Sequence, residues 1–343
     1  MSRFRRASLG DDFGYVPGEH PADGSGWLKL NTNEAPLGPS PAVAPAMAAA
    51  AAELRRYPDP RAEPLRTAIA EHHGVRPEQV FVGNGADQVI DCCFRAFCDA
   101  GDSVVWPVPT YSLFPVLARM FGVTPAEVPL EPGFALPSRL GTEAGVLRFA
   151  VNPNAPTGVW MPPGALEELL SPAPGVVAID EAYGDFAPAS CLPLLDRHES
   201  WLVLRTFSKS HALAGLRVGY AVGASELVAD LDAVKDSYPV DRGAIAGCTA
   251  ALADAAHHAR IVTTVLEQRA RLTARLRGAG WSVPDSHANF VFARPPDGDA
   301  TAVEGRLRAE RILVRWFASN PDRLRISVGT GEEVDRLLEA LGA

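Results

Sequence analysis

Lys209 is the residue whose type and position most strongly suggest covalent chemistry. It lies between Ser208 and Ser210, a few residues after 201–204, an apolar run that predicts a buried strand. Burial at a strand end makes a lysine amine easier to deprotonate. Lys209 is therefore a candidate nucleophile, and a polar turn carrying a solvated lysine is the alternative for an isolated Ser-Lys-Ser sequence.

Two nearby features suit a phosphate group. Arg217 follows Lys209 on a segment of small residues, and a fixed guanidinium next to serine hydroxyls can bind phosphate. Gly85, Ala86 and Asp87 open a predicted helix after a strand, where backbone amides and the helix dipole attract anions; a generic glycine-rich turn is the alternative. An amine for a Schiff base next to a phosphate site indicates pyridoxal phosphate.

Other polar residues at predicted strand ends could contact the ring of such a cofactor. Asp180 closes an apolar run and could pair with a protonated pyridine nitrogen, with a helix-capping role as the alternative. Tyr183 could hydrogen-bond the phenolic oxygen or be a core tyrosine. Tyr111 could stack on the ring, and Asn154, in an Asn-Pro-Asn sequence, could orient ring substituents.

Two arginines near the C-terminus lie in predicted strands. Arg325 is flanked by apolar residues, and Arg315 has the same character. A guanidinium in such a position requires a carboxylate or phosphate partner. The partner could belong to a substrate, or both arginines could form internal salt bridges.

The elements that would position these residues alternate between short apolar strands and helices. This pattern predicts an α/β fold with a parallel sheet covered on both faces and ligands at the carboxyl ends of its strands. The expected strands are residues 80–82, 103–106, 146–151, 176–179 and 201–204. A helix capped by Ser40 is expected to run to about residue 55. The C-terminal part predicts a small α+β unit, with strands 289–292, 312–316 and 324–328 and helices 300–310 and 332–341.

Composition excludes several classes of protein. A formal net charge of -9 over 343 residues disfavours nucleic-acid binding. No apolar run is long enough for a membrane span, and the basic N-terminus lacks the apolar core of a secretory signal. The five cysteines have no metal-ligand spacing and indicate reduced thiols in a cytoplasmic protein, with no metal expected.

The chain resembles the fold-type I pyridoxal-phosphate enzymes, and within them the histidinol-phosphate aminotransferase family. The resemblance rests on ordered motifs between about residue 30 and the C-terminus: LNTNEAPLGPSP, RYPDP, GNGAD, PTY, NPNAPTG, IDEAY, FSKSHALAGLRVGY, KDSYPVDR, NFVFARP and LRISVGT. It implies a three-layer large domain at residues 27–275, to which a small α+β domain at 276–343 is attached. Segment 27–40 would contribute to the small domain and the active site, and residues 1–26 are expected to be a mobile arm.

The resemblance also implies roles for individual residues. Lys209 would form the Schiff base and act as the base, with Asp180 and Tyr183 as its catalytic partners. The phosphate would be held by Ser208, Arg217 and the turn at Gly85, Ala86 and Asp87. Tyr111 would stack on the ring, and Tyr57 would reach the active site of the neighbouring subunit in an obligate homodimer. The substrate would be bound by Arg325, Arg315, Asn33 and Asn289.

The implied reaction moves an amino group between histidinol phosphate and 2-oxoglutarate. An aromatic-amino-acid aminotransferase is the first alternative, and a threonine-phosphate decarboxylase is the second. A protein of this fold that binds without catalysis and a nicotinamide-dependent dehydrogenase are alternatives of other classes. One position departs from the family: Ala155 replaces the usual asparagine that bonds the cofactor's phenolic oxygen, and Asn154 could substitute for it.

Overall fold

The fold is built around a seven-stranded sheet, and the computed structural model describes residues 4–6, 9–10, 13–21 and 26–343. The rest of the expected arm, residues 1–3, 7–8, 11–12 and 22–25, lies outside the described residues. The strands of this sheet are β2 (Val80–Gly83), β3 (Ser103–Val108), β4 (Thr124–Pro129), β5 (Leu147–Val151), β6 (Val176–Asp180), β7 (Trp201–Thr206) and β8 (Gly219–Gly223). Their order is β2-β8-β7-β6-β5-β3-β4. Only β8 runs antiparallel to its neighbours in this sheet, so the mostly parallel sheet is confirmed.

Helices cover both faces of this sheet, because its central strands are apolar on both sides. Two successive residues of β5 contact the two cores: Phe149 packs on one face against Phe94 and Phe114, and Ala150 packs on the other with Leu166. The helices up to residue 278 are α1 (Val43–Ala51), α2 (Glu63–His73), α3 (Gly85–Phe97), α4 (Leu113–Phe121), α5 (Arg139–Thr142), α6 (Pro163–Leu170), α7 (Ser225–Val234), α8 (Arg242–Ala253) and α9 (Ala255–Gly278). The expected three-layer α/β fold is confirmed.

The C-terminal part forms a smaller α+β unit. It contains β9 (Phe290–Ala293), α10 (Ala300–Ala309), β10 (Ile312–Leu313), β11 (Arg315–Trp316), β12 (Leu324–Ser327) and α11 (Gly331–Leu341). The three strands β11, β12 and β9 form one antiparallel sheet. Strand β1 (Leu28–Lys29) pairs with β10, so the N-terminal segment joins this unit. The expected domain boundary at residues 275 and 276 lies inside α9, and the division into domains stays a prediction.

Three local features differ from the expectations. The strand expected at 312–316 is divided into β10 and β11, which pair with different partners. Ser40 does not cap α1; its hydroxyl donates to Asp254 and accepts from the amide of Ala42, and the helix begins only at Val43. Strand β4 was not expected, because its two prolines and Glu127 interrupt any apolar run.

Candidate active site

A cavity of about 490 Å³ lies at the carboxyl ends of β5, β6 and β7, whose last residues Val151, Asp180 and Thr206 all line it. Most of the expected site residues share this cavity: Asn33, Ala86, Asp87, Tyr111, Asp180, Tyr183, Ser208, Lys209, Arg217, Arg315 and Arg325. Four expected residues are not part of its lining: Gly85, Asn154, Tyr57 and Asn289. The strand ends therefore bring together residues from both parts of the chain.

Lys209 lies in the turn after β7 with its amine in the cavity. Its Nζ atom donates a hydrogen bond of 3.4 Å to the carbonyl oxygen of Thr32, and no carboxylate among the described residues forms an ion pair with it. Burial, together with the nearby positive charge of Arg325, lowers the pKa of Lys209 to about 8. A substantial fraction of the amine is therefore neutral and nucleophilic near neutral pH.

Asp180 is the last residue of β6 and is only 4% exposed. One of its carboxylate oxygens accepts a hydrogen bond of 2.9 Å from the backbone amide of Ala182. Burial raises the pKa of Asp180 to about 6, and no arginine, lysine or histidine among the described residues pairs with it. A buried carboxylate without a cation is costly, so this position favours a cationic group of a ligand.

Tyr183 stands between the lysine and the N-terminal segment. Its hydroxyl accepts a hydrogen bond of 2.9 Å from the side-chain amide of Asn33, and its ring packs edge-on against Phe290. Lys209 Nζ lies 5.7 Å from the centroid of the Tyr183 ring. Burial raises the pKa of Tyr183, so its hydroxyl keeps its proton and can donate it in a hydrogen bond.

The start of α3 and the loop before β8 bring together residues that were expected to bind a phosphate. A guanidinium nitrogen of Arg217 donates to the carboxylate of Asp87 at 2.9 Å, and the hydroxyl of Tyr111 donates to the other oxygen at 2.8 Å. Gly85 has a φ of +77°, and a Cβ atom there would lie 2.7 Å from the Arg217 Nη2 atom. Glycine suits this position because its φ is positive and because a Cβ atom would displace the Arg217 guanidinium from the helix N-terminus, whose backbone amides make a positively polarised cradle.

Arg325 is the best candidate for binding a substrate carboxylate. One terminal nitrogen donates to the carbonyl oxygen of Asn31 at 3.0 Å, and its buried Nε atom has no hydrogen-bond partner. The guanidinium carbon lies 5.5 Å and 5.3 Å from the ring centroids of Phe290 and Phe317. No carboxylate among the described residues pairs with Arg325, so the internal salt bridge considered as an alternative is absent from the described part of the chain.

Arg315 also lines the cavity, but its guanidinium already has partners. Its two terminal nitrogens donate to the backbone carbonyl oxygens of Val16 at 2.8 Å and Pro17 at 3.1 Å. Arg315 and Arg325 face each other across the β11–β12 pair. Arg315 therefore holds the N-terminal segment against the cavity, a role that sequence reasoning did not identify.

Asn154 does not reach the cavity, although it was expected to contact the cofactor. Its amide nitrogen donates to the carbonyl oxygen of Pro109 and to the Thr157 hydroxyl, and its amide oxygen accepts from the Thr110 hydroxyl. These bonds use its side chain to hold the loop after β3. Ala155, by contrast, lines the cavity and is 6% exposed, so Asn154 does not substitute for the missing asparagine.

Asn289 and Tyr57 also lie away from the cavity surface. Asn289 is fully buried, and its amide donates to the carbonyl oxygen of Asn33 at 2.9 Å, so it supports the loop that carries Asn33. Tyr57 is 77% exposed and stacks on Tyr238 with ring centroids 4.6 Å apart. Its expected contact with a neighbouring subunit stays a prediction.

Residues of the N-terminal segment form part of the cavity and were missed by sequence reasoning. Tyr15, Gly18 and His20 line it, and the Tyr15 ring lies edge-on to Tyr111 at 6.1 Å. A Cβ atom at Gly18 would lie 2.4 Å from the Thr32 side chain, so the segment packs closely. The only sequence signal was an aromatic residue followed by Pro-Gly in a stretch otherwise typical of a mobile arm.

The geometry defines an α/β enzyme in which a partly deprotonated lysine, an unpaired carboxylate and an unpaired arginine share one cavity. The chain belongs to the family described as aminotransferase class I and II, which residues 25–341 match. Histidinol-phosphate aminotransferase 2 of Thiobacillus denitrificans is 46% identical, with 100% of this chain and 98% of that protein covered. The histidinol-phosphate aminotransferase of Gluconacetobacter diazotrophicus is 45% identical, with the same coverage of each chain.

Solved structures of aminotransferases are also similar to this chain. The histidinol-phosphate aminotransferase of Sinorhizobium meliloti, in complex with pyridoxal-5'-phosphate, has a TM-score of 0.85 and 28% identity, covering 92% of this chain and 89% of that one. A mutant aspartate aminotransferase of Thermus thermophilus, at 24% identity, has a TM-score of 0.81 over 93% of this chain and 92% of that one, and supports the fold. Of the helices that the structure describes, none has the length and apolar character that a membrane span requires.

Proposed function

We propose that this aminotransferase uses pyridoxal phosphate to move an amino group between histidinol phosphate and 2-oxoglutarate. The observation that carries the proposal is the set of unmatched charges in one cavity: Lys209 and Arg325 without a carboxylate, and Asp180 without a cation, among the described residues. The names of the relatives at 43–46% identity support histidinol phosphate over the aromatic and decarboxylase alternatives.

The residues present fit the cofactor. Asp180 is placed to balance a protonated ring nitrogen, and the Gly85 cradle with Arg217 suits a phosphate. Ser208 lines the cavity next to Lys209 and adds a hydroxyl. When bound, pyridoxal phosphate supplies a ring that withdraws electrons from the Cα atom of the substrate.

The chain itself would bind, orient and move protons. Lys209 Nζ, neutral in part near pH 8, would act as the base that takes and holds the proton of the substrate Cα atom. The Tyr183 hydroxyl, oriented by Asn33, would donate to the phenolic oxygen. Because Ala155 offers no hydrogen-bonding side chain there, Tyr183 would be the main side-chain donor to that oxygen. Tyr111, held by Asp87, would lie along the ring.

Arg325 would bind the carboxylate of glutamate or 2-oxoglutarate, because its buried Nε atom has a free donor and Phe290 and Phe317 exclude water around it. Arg315 would contribute positive charge for the phosphate of histidinol phosphate. Asn33 and Asn289 would act on the substrate through the loop that they build together.

The proposal includes a homodimer in which Tyr57 reaches the partner's site. The exposed stack of Tyr57 on Tyr238, next to exposed Leu54, offers an apolar surface for it. A mixture of Tyr57→Phe and Lys209→Ala subunits, dissociated and reassembled, should regain activity through one intact site per mixed dimer.

A cytoplasmic location and a division into large and small domains near residue 275 are further parts of this proposal. The five free cysteines support the cytoplasmic location.

A panel of amino donors with 2-oxoglutarate tests the substrate. Glutamate formation should be fastest with histidinol phosphate and at least about tenfold slower with phenylalanine, tyrosine or threonine phosphate. Release of carbon dioxide without glutamate, or a preference for an aromatic amino acid, would contradict the proposal. The loaded protein should also have a visible band that borohydride abolishes, and Lys209→Ala should lack this reducible band.

A further inference from the structure

A network of ion pairs and hydrogen bonds lies directly behind the two catalytic candidates. It includes the residue that follows Asp180 and the residue that follows Lys209. Glu181 follows Asp180 and is 1% exposed, and Ser210 follows Lys209 and is also 1% exposed. Both are linked through Arg205, the penultimate residue of β7, which is 6% exposed. The two catalytic candidates are therefore joined by side chains that lie outside the cavity lining.

Direct contacts connect Glu181 to Ser210 without a break. Arg205 donates to Glu181 at 2.8 Å and, through its other terminal nitrogen, to Asp185. The second carboxylate oxygen of Asp185 accepts from the hydroxyl of Ser210. Gly184 permits this convergence, since a Cβ atom there would lie 3.0 Å from Glu181 and 3.2 Å from the Arg205 guanidinium carbon.

The far end of the network is anchored to the protein core. Glu181 accepts from the Ser190 hydroxyl at 2.6 Å and from the backbone amide of Cys191 at 2.5 Å. These contacts satisfy both oxygens of Glu181, so its carboxylate has one position. Removing one partner from such a buried network leaves an uncompensated charge, which makes its geometry costly to change.

Two histidines lie beside Asp185, and these three residues are of types that bind metal ions. The ligand atoms of Asp185, His211 and His258 lie within 4.8 Å of one another. However, both oxygens of Asp185 already accept from Arg205 and Ser210, and the two imidazoles stack face to face at 4.4 Å. A cation would have to displace an arginine or a serine, so the hydrogen-bonded network is the arrangement that the contacts favour.

We propose that buried Glu181 and Arg205 and half-buried Asp185 form a brace that fixes Lys209 relative to Asp180, with Ser210 as its link to the lysine. The brace rests on the proposed function, because it positions the amine against the cofactor whose ring nitrogen Asp180 would face. Its members are positioning residues and do not contact the reacting atoms. Small displacements of a catalytic group lower the rate of the chemical step, so the brace should act on kcat.

The test compares Asp185→Asn, Ser210→Ala and the double variant in the loaded enzyme. Each single variant should lower kcat about tenfold while the KM for the amino donor changes less than about twofold. The double variant should be no slower than the slower single variant, because both changes break the same link. Asp185→Asn should also shift the pH midpoint of the visible band in the absence of substrate, since it breaks the link through Ser210 that fixes the position of the Lys209 amine.

Asp232→Asn is the matched control. Asp232 accepts from the guanidinium of buried Arg66 at 3.0 Å, as Asp185 does from Arg205, but it lies on α7 away from the cavity. This control should lower the melting temperature and leave kcat and the pH midpoint unchanged. The brace is refuted if Asp185→Asn and Ser210→Ala behave like the control, or if their effects on kcat multiply in the double variant.

The outcomes separate the two proposals. If the wild-type protein has no borohydride-sensitive band, the proposed function fails. If it has the band and Ser210→Ala keeps the wild-type kcat, only the brace fails. Ser210→Ala changes no charge, so it remains informative if Asp185→Asn does not fold.

Discussion

The unusual acidity of Lys209 gives a direct test of the site in the ligand-free protein. With a pKa of about 8, roughly 10% of this amine is neutral at pH 7, compared with ~0.03% for a lysine at its ordinary value of 10.5. The difference is about 300-fold in nucleophilic amine, or roughly 3 kcal/mol between the two protonation states. Lys209 should therefore react with an amine-selective acylating reagent at pH 7 far faster than the other lysines do.

The sequence makes this measurement simple, because it contains only three lysines: Lys29, Lys209 and Lys235. Mass spectrometry can follow the labelling of each one between pH 6 and 11, and the other two serve as internal references. The Lys209 rate should level off above about pH 8. A Lys209 labelling rate that keeps rising through pH 10 would refute the reasoning.

A second variant identifies the cause of the shift. Burial is the largest contribution and the charge of Arg325 is the next, so Arg325→Gln should raise the inflection of Lys209 part of the way towards its ordinary value. Arg323→Gln is the control, because that guanidinium packs on Phe134 and Phe292 outside this cavity. Equal effects of the two variants would show that general charge, and not the site, sets the pKa.

Two further predictions concern Asp180 and Gly85. Burial raises the pKa of Asp180 from 3.8 to about 6, so the contribution of its carboxyl group to ligand-free stability is fully present below pH 3.8 and is lost as the pH rises through 6. The free energy of unfolding should therefore fall by roughly 3 kcal/mol over this range. Urea titrations should show that Asp180→Asn abolishes this pH-dependent fall. Gly85→Ala should weaken pyridoxal phosphate binding about tenfold or more in fluorescence titrations, because its Cβ atom would meet Arg217. Gly74→Ala, also at positive φ but with open space around it, should leave that affinity unchanged.

The alternation of apolar strands and helices was enough to predict the α/β fold and the edge of the sheet where the site lies. Lys209, Asp180 and Tyr183 follow strands whose apolar runs are easily recognised, so their proximity could be expected from the sequence. Strand β4 lacked such a run, and the expected strand at 312–316 could not be divided because its pairing partners are distant in the sequence.

The orientation of individual side chains could not be predicted in the same way. Asn154 precedes Ala155 in the chain, yet only Ala155 lines the cavity, because the amide of Asn154 finds closer partners in the loop after β3. The role of Arg315 depends on carbonyl oxygens of Val16 and Pro17, which are about three hundred residues away in sequence. Such contacts depend on tertiary packing and leave no local pattern.

The unmatched charges also account for the relation between stability and function at this site. Asp180 is buried, Lys209 and Arg325 are half-buried, and none of the three has an ionic partner among the described residues. Each such group costs free energy in the ligand-free protein. Pyridoxal phosphate would supply a ring cation for Asp180 and an aldehyde for Lys209, and a substrate would supply a carboxylate for Arg325. The binding free energies of the two therefore offset a cost already present in the fold. Ligand binding should consequently raise the stability of the wild-type protein more than that of variants in which these charges are removed.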